Sequence, residues 1–394
     1  MRETSHQNGS QSTIHKRRSL FSLVLISIEL ISLASLILPS SYASRIIQYP
    51  LPWNPWKAPY GLKVDSTGMV WFTESQAGNA IGRFNPATKV YTEFRIPTPN
   101  ANALDLDIDS SGNVWFTEYG GNKIGRLDPA TGEITEFSIT TPNSNPFGIK
   151  ADSLGNIWFA ESQGNRIGKL TASGFLTEYI IPRSNSNTYY IALDSQGRVW
   201  FAETNSPGMI AVLDQLTGIV TEFMAPTATC VPVGIMVDRF GFIWFTEHNA
   251  NKVARFDPRT LIFKEFSVPY ESNDPPNPWL LTSAPDGSIW FSGDQQNSPL
   301  GTGVAGRIDP TSGMINVYKI PTPLLGGTPK NHPKGIAADQ SGNIWVALWD
   351  TDYLAQIQFS PVTITAAINA PVSTGKSFTL QYTCLLYTSD AADE

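Results

Sequence analysis

One ten-residue phrase recurs along this 394-residue chain and restricts its fold more than any other feature. It reads DSTGMVWFTE from Asp65, DSSGNVWFTE from Asp109, DSLGNIWFAE from Asp152, DSQGRVWFAE from Asp194 and DRFGFIWFTE from Asp238. Looser copies start at Ala284 (APDGSIWFSG) and Asp339 (DQSGNIWVAL). Their tryptophans, Trp71, Trp115, Trp158, Trp200, Trp244, Trp290 and Trp345, lie 42 to 55 residues apart. A period of roughly 40–50 residues, built from short strands and turns, predicts one β-propeller blade per repeat. The expected fold is all-β, a seven-bladed propeller.

The second repeat gives the blade in detail. Residues 103–109 (ALDLDID) alternate and read as an inner strand, and Ser110 to Asn113 form a tight turn in which Gly112 takes a positive φ. VWFTE (114–118), KIGRL (123–127) and EITEFSI (133–139) supply three more strands. A lone blade cannot bury both faces, so each Trp-Phe pair is expected to pack against a neighbouring blade, at roughly 1.5–3 kcal/mol per buried aromatic. The last repeat is one strand short. RIIQYPLP (45–52) resembles the outer strands TEFRIPTP (92–99) and VYKIPTP (317–323), so residues 46–51 are expected to close the ring as the outer strand of blade seven.

The ends read differently. Residues 1–43 carry the basic run His15-Lys16-Arg17-Arg18, an apolar stretch from Leu20 to Leu38 and a small-x-small site at Ser41-Tyr42-Ala43. This is a signal peptide or an uncleaved membrane anchor, and either places the propeller, residues 44–361, outside the cytoplasm. Residues 362–383 alternate and resemble the start of a truncated immunoglobulin-like β-sandwich. Residues 384–394 (CLLYTSDAADE) resemble a translated sequencing adapter. The two cysteines, Cys230 and Cys384, make neither a disulfide framework nor a zinc pattern. The net charge is −7 with no basic cluster after the leader, which argues against nucleic acid and anionic membrane surfaces as partners. A monomer is expected, with membrane contact only through the leader or a segment beyond the C-terminal residues.

The phrases PYGL around Tyr60, WFTE, NKIGRL (122–127) and ITEFSI (134–139) together resemble the virginiamycin B lyase family over about residues 45–359. The resemblance implies a seven-bladed propeller. It also implies a lyase that opens a cyclic depsipeptide ester by elimination, with a histidine base taking a proton α to a carbonyl while Mg²⁺ polarises the ester. The reactive positions implied lie on the inner strands, five residues before the DSxG aspartate. This chain has Tyr60, Leu104, Phe147, Tyr189, Val233, Trp279 and Lys334 there. Where the resemblance puts two PHxI histidines stand Trp279 and Lys334, and where it puts two glutamates stand Trp349 and His332. Only Tyr60 matches, which points to a binding or scaffold propeller of the cell exterior. The alternative is a carbon-oxygen lyase in which Lys334 replaces the base, with His332 and Tyr60 as the other catalytic candidates. Lactonase-type propellers need a carboxylate and amide metal cage on the axis, and none can be assembled from these residues.

Further candidates follow from the blade pattern. Glu74, Glu118, Glu161, Glu203 and Glu247 follow the Trp-Phe pair, and Arg83, Arg126, Lys169, Arg255 and Arg307 end the third strands. One of each per blade predicts a repeated ion pair or hydrogen bond. His248 is expected to be a solvated or hydrogen-bonded loop residue near the same rim. His332, Lys334, Asp350 and Asp352 form the most polar cluster of blade seven, and His332, Asp350 and Asp352 are the metal candidates, for Mg²⁺ if the lyase reading holds. Tyr60, Phe147, Tyr189 and Trp279 either plug the channel or, with Lys334, form the floor for a small-molecule, glycan or peptide ligand. The insertions 294–303 and 324–333 are expected to overhang that mouth.

Overall fold

The computed structural model describes residues 44–52, 56–270, 274–295, 303–322 and 331–359, and two further strands at 362–366 and 380–386. The leader and most of both predicted overhanging insertions lie outside the described residues. Seven four-stranded antiparallel sheets form, one per repeat. Blade one is Pro59–Val64, Val70–Glu74, Ala80–Asn85 and Val90–Arg95. Blade two, at Ala103–Ile108, Val114–Glu118, Lys123–Leu127 and Ile134–Ser138, matches the predicted strands to within a residue or so at each end. Gly112 has φ 87° in its turn, as the sequence requires.

Blade seven takes Pro333–Ala338, Ile344–Leu348 and Tyr353–Phe359 from the end of the propeller sequence and Ser44–Pro50 as its outer strand. The side chains explain the closure. In each blade an outer-strand aromatic stacks on the blade's tryptophan, as Phe137 does on Trp115 at 5.6 Å and Tyr318 on Trp290 at 5.3 Å. In blade seven that aromatic is Tyr49, 5.5 Å from Trp345. The Leu51 amide also donates to the Asp352 carbonyl at 2.8 Å, fixing the chain beyond the strand.

The core lies between blades. Trp71 of blade one is buried with Val114 and Phe116 of blade two, Trp158 of blade three with Phe201 of blade four, and Trp345 of blade seven with Phe72 of blade one. The Trp and Phe of one phrase thus face opposite neighbours, as alternation in a strand demands. The phenylalanine also explains a small residue on the third strand. A Cβ on Gly82 would run into the Phe72 ring.

The DSxG aspartate holds two parts of the blade together. Asp65 Oδ1 accepts the amides of Thr67 at 2.8 Å and Met69 at 3.0 Å, which fixes the turn. Its Oδ2 accepts the indole N–H of Trp71 at 2.8 Å. The same indole bond recurs at Asp109, Asp152, Asp194, Asp238 and Asp339. A buried tryptophan therefore keeps its donor satisfied.

The third-strand cations do not pair with the buried glutamates. Register sets Arg83 opposite Trp71, and its guanidinium lies 5.4 Å from that ring. Lys169 sits likewise over Trp158 at 4.9 Å. The asparagine opening the third strand does the linking between blades. Asn122 donates to the Thr141 carbonyl at 3.0 Å and accepts the Ser144 amide at 2.7 Å, which ties blade two to the start of blade three.

Among the described residues, no helix is long and apolar enough to cross a membrane. Residues 45–358 form one compact unit, and Val362–Ala366 and Leu380–Leu386, an antiparallel pair, belong to another.

Candidate functional site: the aromatic mouth of the channel

The inner strands bring their first residues to one mouth of the axis. Each inner strand has a register irregularity there, for example between Pro59 and Leu62 and between Thr188 and Ile191. Such bulges re-aim side chains and break simple alternation. As a result Tyr189 and its neighbour Tyr190 both crowd Phe147. The Tyr189 ring lies parallel to it at 4.5 Å and Tyr190 meets it edge-on at 5.1 Å. Tyr60 closes the group, edge-on to Phe147 at 6.1 Å.

Tyr60, Phe147 and Tyr190 are buried, whereas Tyr189 and Trp279 are only partly so. The predicted aromatic ring is thus a plug whose outer rings remain accessible. Burial pushes the hydroxyls of Tyr60 and Tyr190 well above the ordinary tyrosine range, so both stay protonated. Trp349 extends the surface, 6.4 Å from Tyr60 and held by an indole hydrogen bond to Ser75 Oγ at 3.2 Å. Trp56 lies 6.0 Å beyond it and is 40% exposed. Sequence reasoning missed Trp56, which sits just ahead of the inner strand of blade one, Pro59–Val64, and belongs to no repeat.

Trp279 and Lys334, on adjacent inner strands, are in direct contact. The Lys334 ammonium lies 3.8 Å from the Trp279 ring centroid and 3.6 Å from Asp294 Oδ2. Burial lowers the Lys334 pKa, partly offset by the negative charge of Asp294 and Asp350. Asp294 reaches the site because its strand, Ile289–Asp294, is one residue longer than its counterparts in blades one to five, a signal visible in the sequence only as a gap after WFSG. His248 is buried rather than solvated. Its Nδ1 lies 3.1 Å from the Pro278 carbonyl and its ring is edge-on to Trp279 at 5.1 Å. Burial lowers its pKa, so it is neutral at pH 7.

The metal candidates separate. His332 Nδ1 and Asp350 Oδ2 pair with each other. Asp352 faces the chain instead, its Oδ1 accepting the amides of Lys57 at 3.0 Å and Ala58 at 2.9 Å. No group of three or more His, Cys, Asp or Glu side chains is set to hold a metal ion among the described residues. What faces the mouth beside His332 and Asp350 is an ammonium, Lys334, which would repel a divalent cation. The residues do not fit the Mg²⁺ that the family chemistry implies.

The comparisons bear on this geometry. The model of the virginiamycin B lyase family matches residues 44–357. A solved streptogramin B lyase is 31% identical with a TM-score of 0.72, covering 82% of this chain and 100% of that one. A catalytically inactive histidine-to-alanine variant of virginiamycin B lyase from Staphylococcus aureus, solved with quinupristin, is 31% identical with a TM-score of 0.70, covering 80% and 99%. The extracellular domain of a hybrid two-component system from B. thetaiotaomicron shares the fold alone, at 16% identity and a TM-score of 0.61, covering 83% of this chain and 46% of that one. No curated protein matches. With its family match over the whole propeller and these relatives along its full ring, the chain belongs to the virginiamycin B lyase family.

Proposed function

We propose that this chain is an extracytoplasmic binding propeller that keeps the family scaffold and has given up the family's elimination chemistry. One observation carries the reading. The two positions where the family pattern places histidines hold Trp279 and Lys334, locked in a cation–π contact at 3.8 Å. Elimination needs a base that is unprotonated and free to reach a proton α to a carbonyl. An ammonium held between an indole face and Asp294 meets neither demand. The S. aureus relative loses catalysis when one histidine becomes alanine, which supports giving weight to histidines that this chain lacks.

The ligand favoured is amphipathic, a small molecule, glycan or peptide. Its ring or apolar face stacks on Trp56, Trp349 and Tyr189, and a polar group meets Lys334. The external location rests on the leader-like residues 1–43. A second reading, a lyase with Lys334 as the base, is favoured by the lowering of its pKa by burial.

Tryptophan fluorescence of the full chain, titrated with a streptogramin B-type depsipeptide and a panel of oligosaccharides, tests the binding reading. A saturable change with at least one ligand is expected, weakened about tenfold or more in Trp279→Ala. A flat response to every ligand, from folded protein, would contradict it.

A further inference from the structure

We propose that the axial cavity on the face opposite the aromatic mouth is a second ligand site, one that takes a zwitterionic α-amino acid with an apolar side chain. The cavity has a volume of about 350 Å³. That is at the small end for ligand pockets, roughly 300–1,000 Å³.

Its wall is divided by blade. Blades one to three contribute charge: Lys63, Asp105 and Lys150 line the cavity, and Asp107 pairs with Lys63 beside it. At the position of Lys63, Asp107 and Lys150 the other blades carry Ala192, Met236, Thr282 and Ala337. Where blade two has Asp105, four blades have glycine, so a carboxylate here is a departure from the repeat and not a need of the fold. Lys63 Nζ lies 3.3 Å from Asp107, and Lys150 Nζ lies 3.7 Å from Asp105 and donates to the Ile149 carbonyl at 2.8 Å. An ammonium has three donors, and these contacts use only part of that capacity. Asp105 and Asp107 each accept one amide of blade three, at 3.1 and 3.0 Å.

A separate observation points to a ligand. Tyr190, 3% exposed, lines the cavity, and its hydroxyl faces the Tyr60 hydroxyl and the buried indole N–H of Trp279 without a close hydrogen bond to either. Leaving such groups unsatisfied is costly, so they are places where a bound molecule gains. The four charges balance, which disfavours a plain anion or cation and favours a molecule carrying both signs. A carboxylate would meet the Lys63 and Lys150 ammoniums, an ammonium would meet Asp105 and the Tyr190 oxygen, and an alkyl side chain would lie on Met236 and Leu281 across the axis.

Isothermal titration of the full chain with L-leucine and L-methionine tests this. Saturable binding is expected, at least about tenfold weaker for 3-methylbutylamine, which lacks the carboxylate, and for 4-methylpentanoate, which lacks the ammonium. Asp105→Gly and Lys150→Met install residues that sibling blades already carry at those positions, so the fold should survive, as circular dichroism would show. Each should abolish binding, whereas Trp349→Ala at the mouth should leave it unchanged. No binding of either amino acid at millimolar concentration, equal affinity for the singly charged analogues, full binding by both cavity variants, or loss in Trp349→Ala would each overturn the proposal.

Discussion

At the scale of the residue, the repeated aspartate carries more than its turn. In Asp152 one oxygen accepts two turn amides and the other accepts the Trp158 indole at 3.0 Å. Burial opposes ionisation, yet these hydrogen bonds outweigh it and hold the carboxyl below its ordinary range. Asp152→Ala removes the turn clip and strands a buried indole donor, so a loss of about 2–3 kcal/mol is expected in urea denaturation. Lys169→Met removes a cation over an indole face and one hydrogen bond to Gln215 Oε1 at 3.2 Å, and a loss of about 1 kcal/mol is expected from the same measurement. The phrase was legible in the sequence because it repeats, and Trp279 and Lys334 because they stand where the family resemblance puts histidines. Tyr190 and Asp294 were not, since a bulge and a one-residue strand extension re-aim them, and neither leaves a periodic mark.

The buried glutamates act at the scale of the element. Glu118 and Glu161 face the outer-strand Glu136 and Glu178, and Glu247 faces Glu265. Glu74 lies against Tyr91, Lys57 and Glu93, and Glu203 against Arg183 and Glu222. Burial, aided by the facing carboxylates, pushes their pKa values up to about 7, and to about 8 for Glu161. The folded state therefore holds protons that the unfolded chain releases near pH 4.5, so their stabilisation is complete below that pH and is lost as pH rises through 7 to 8. His248, buried neutral, has the opposite slope below pH 6.5, but it is one group against five. A higher melting temperature is expected at pH 5 than at pH 8, and Glu161→Gln should flatten the difference. A melting temperature that rises from pH 5 to 8 would contradict this account of the blades. The closing strand is a second test. A chain beginning at residue 51 lacks Tyr49 and its ladder, and its melting temperature should fall by roughly 10 °C or more.

At the scale of the whole molecule, seven near-identical sheets form a rigid ring, and the departures from repetition gather on its axis. Six blades build the core from the same Trp-Phe pair, which is why architecture and even ring closure could be read from spacing and from the likeness of residues 45–52 to other outer strands. The axis could be read only in part. Its inner positions were identifiable, but which side chains meet across it depends on bulges and on the pairing of blades far apart in sequence. There one end carries an aromatic mouth with a lysine held between Trp279 and Asp294, and a charged cavity lies at the other end. The central claim is that this ring binds and does not eliminate. The most direct measurement incubates the full chain with a streptogramin B-type depsipeptide and excess Mg²⁺ and follows ring opening by mass. An intact ring, with the protein folded by circular dichroism, is the predicted result. Ring opening that disappears in Lys334→Ala would contradict the claim and make Lys334 the base.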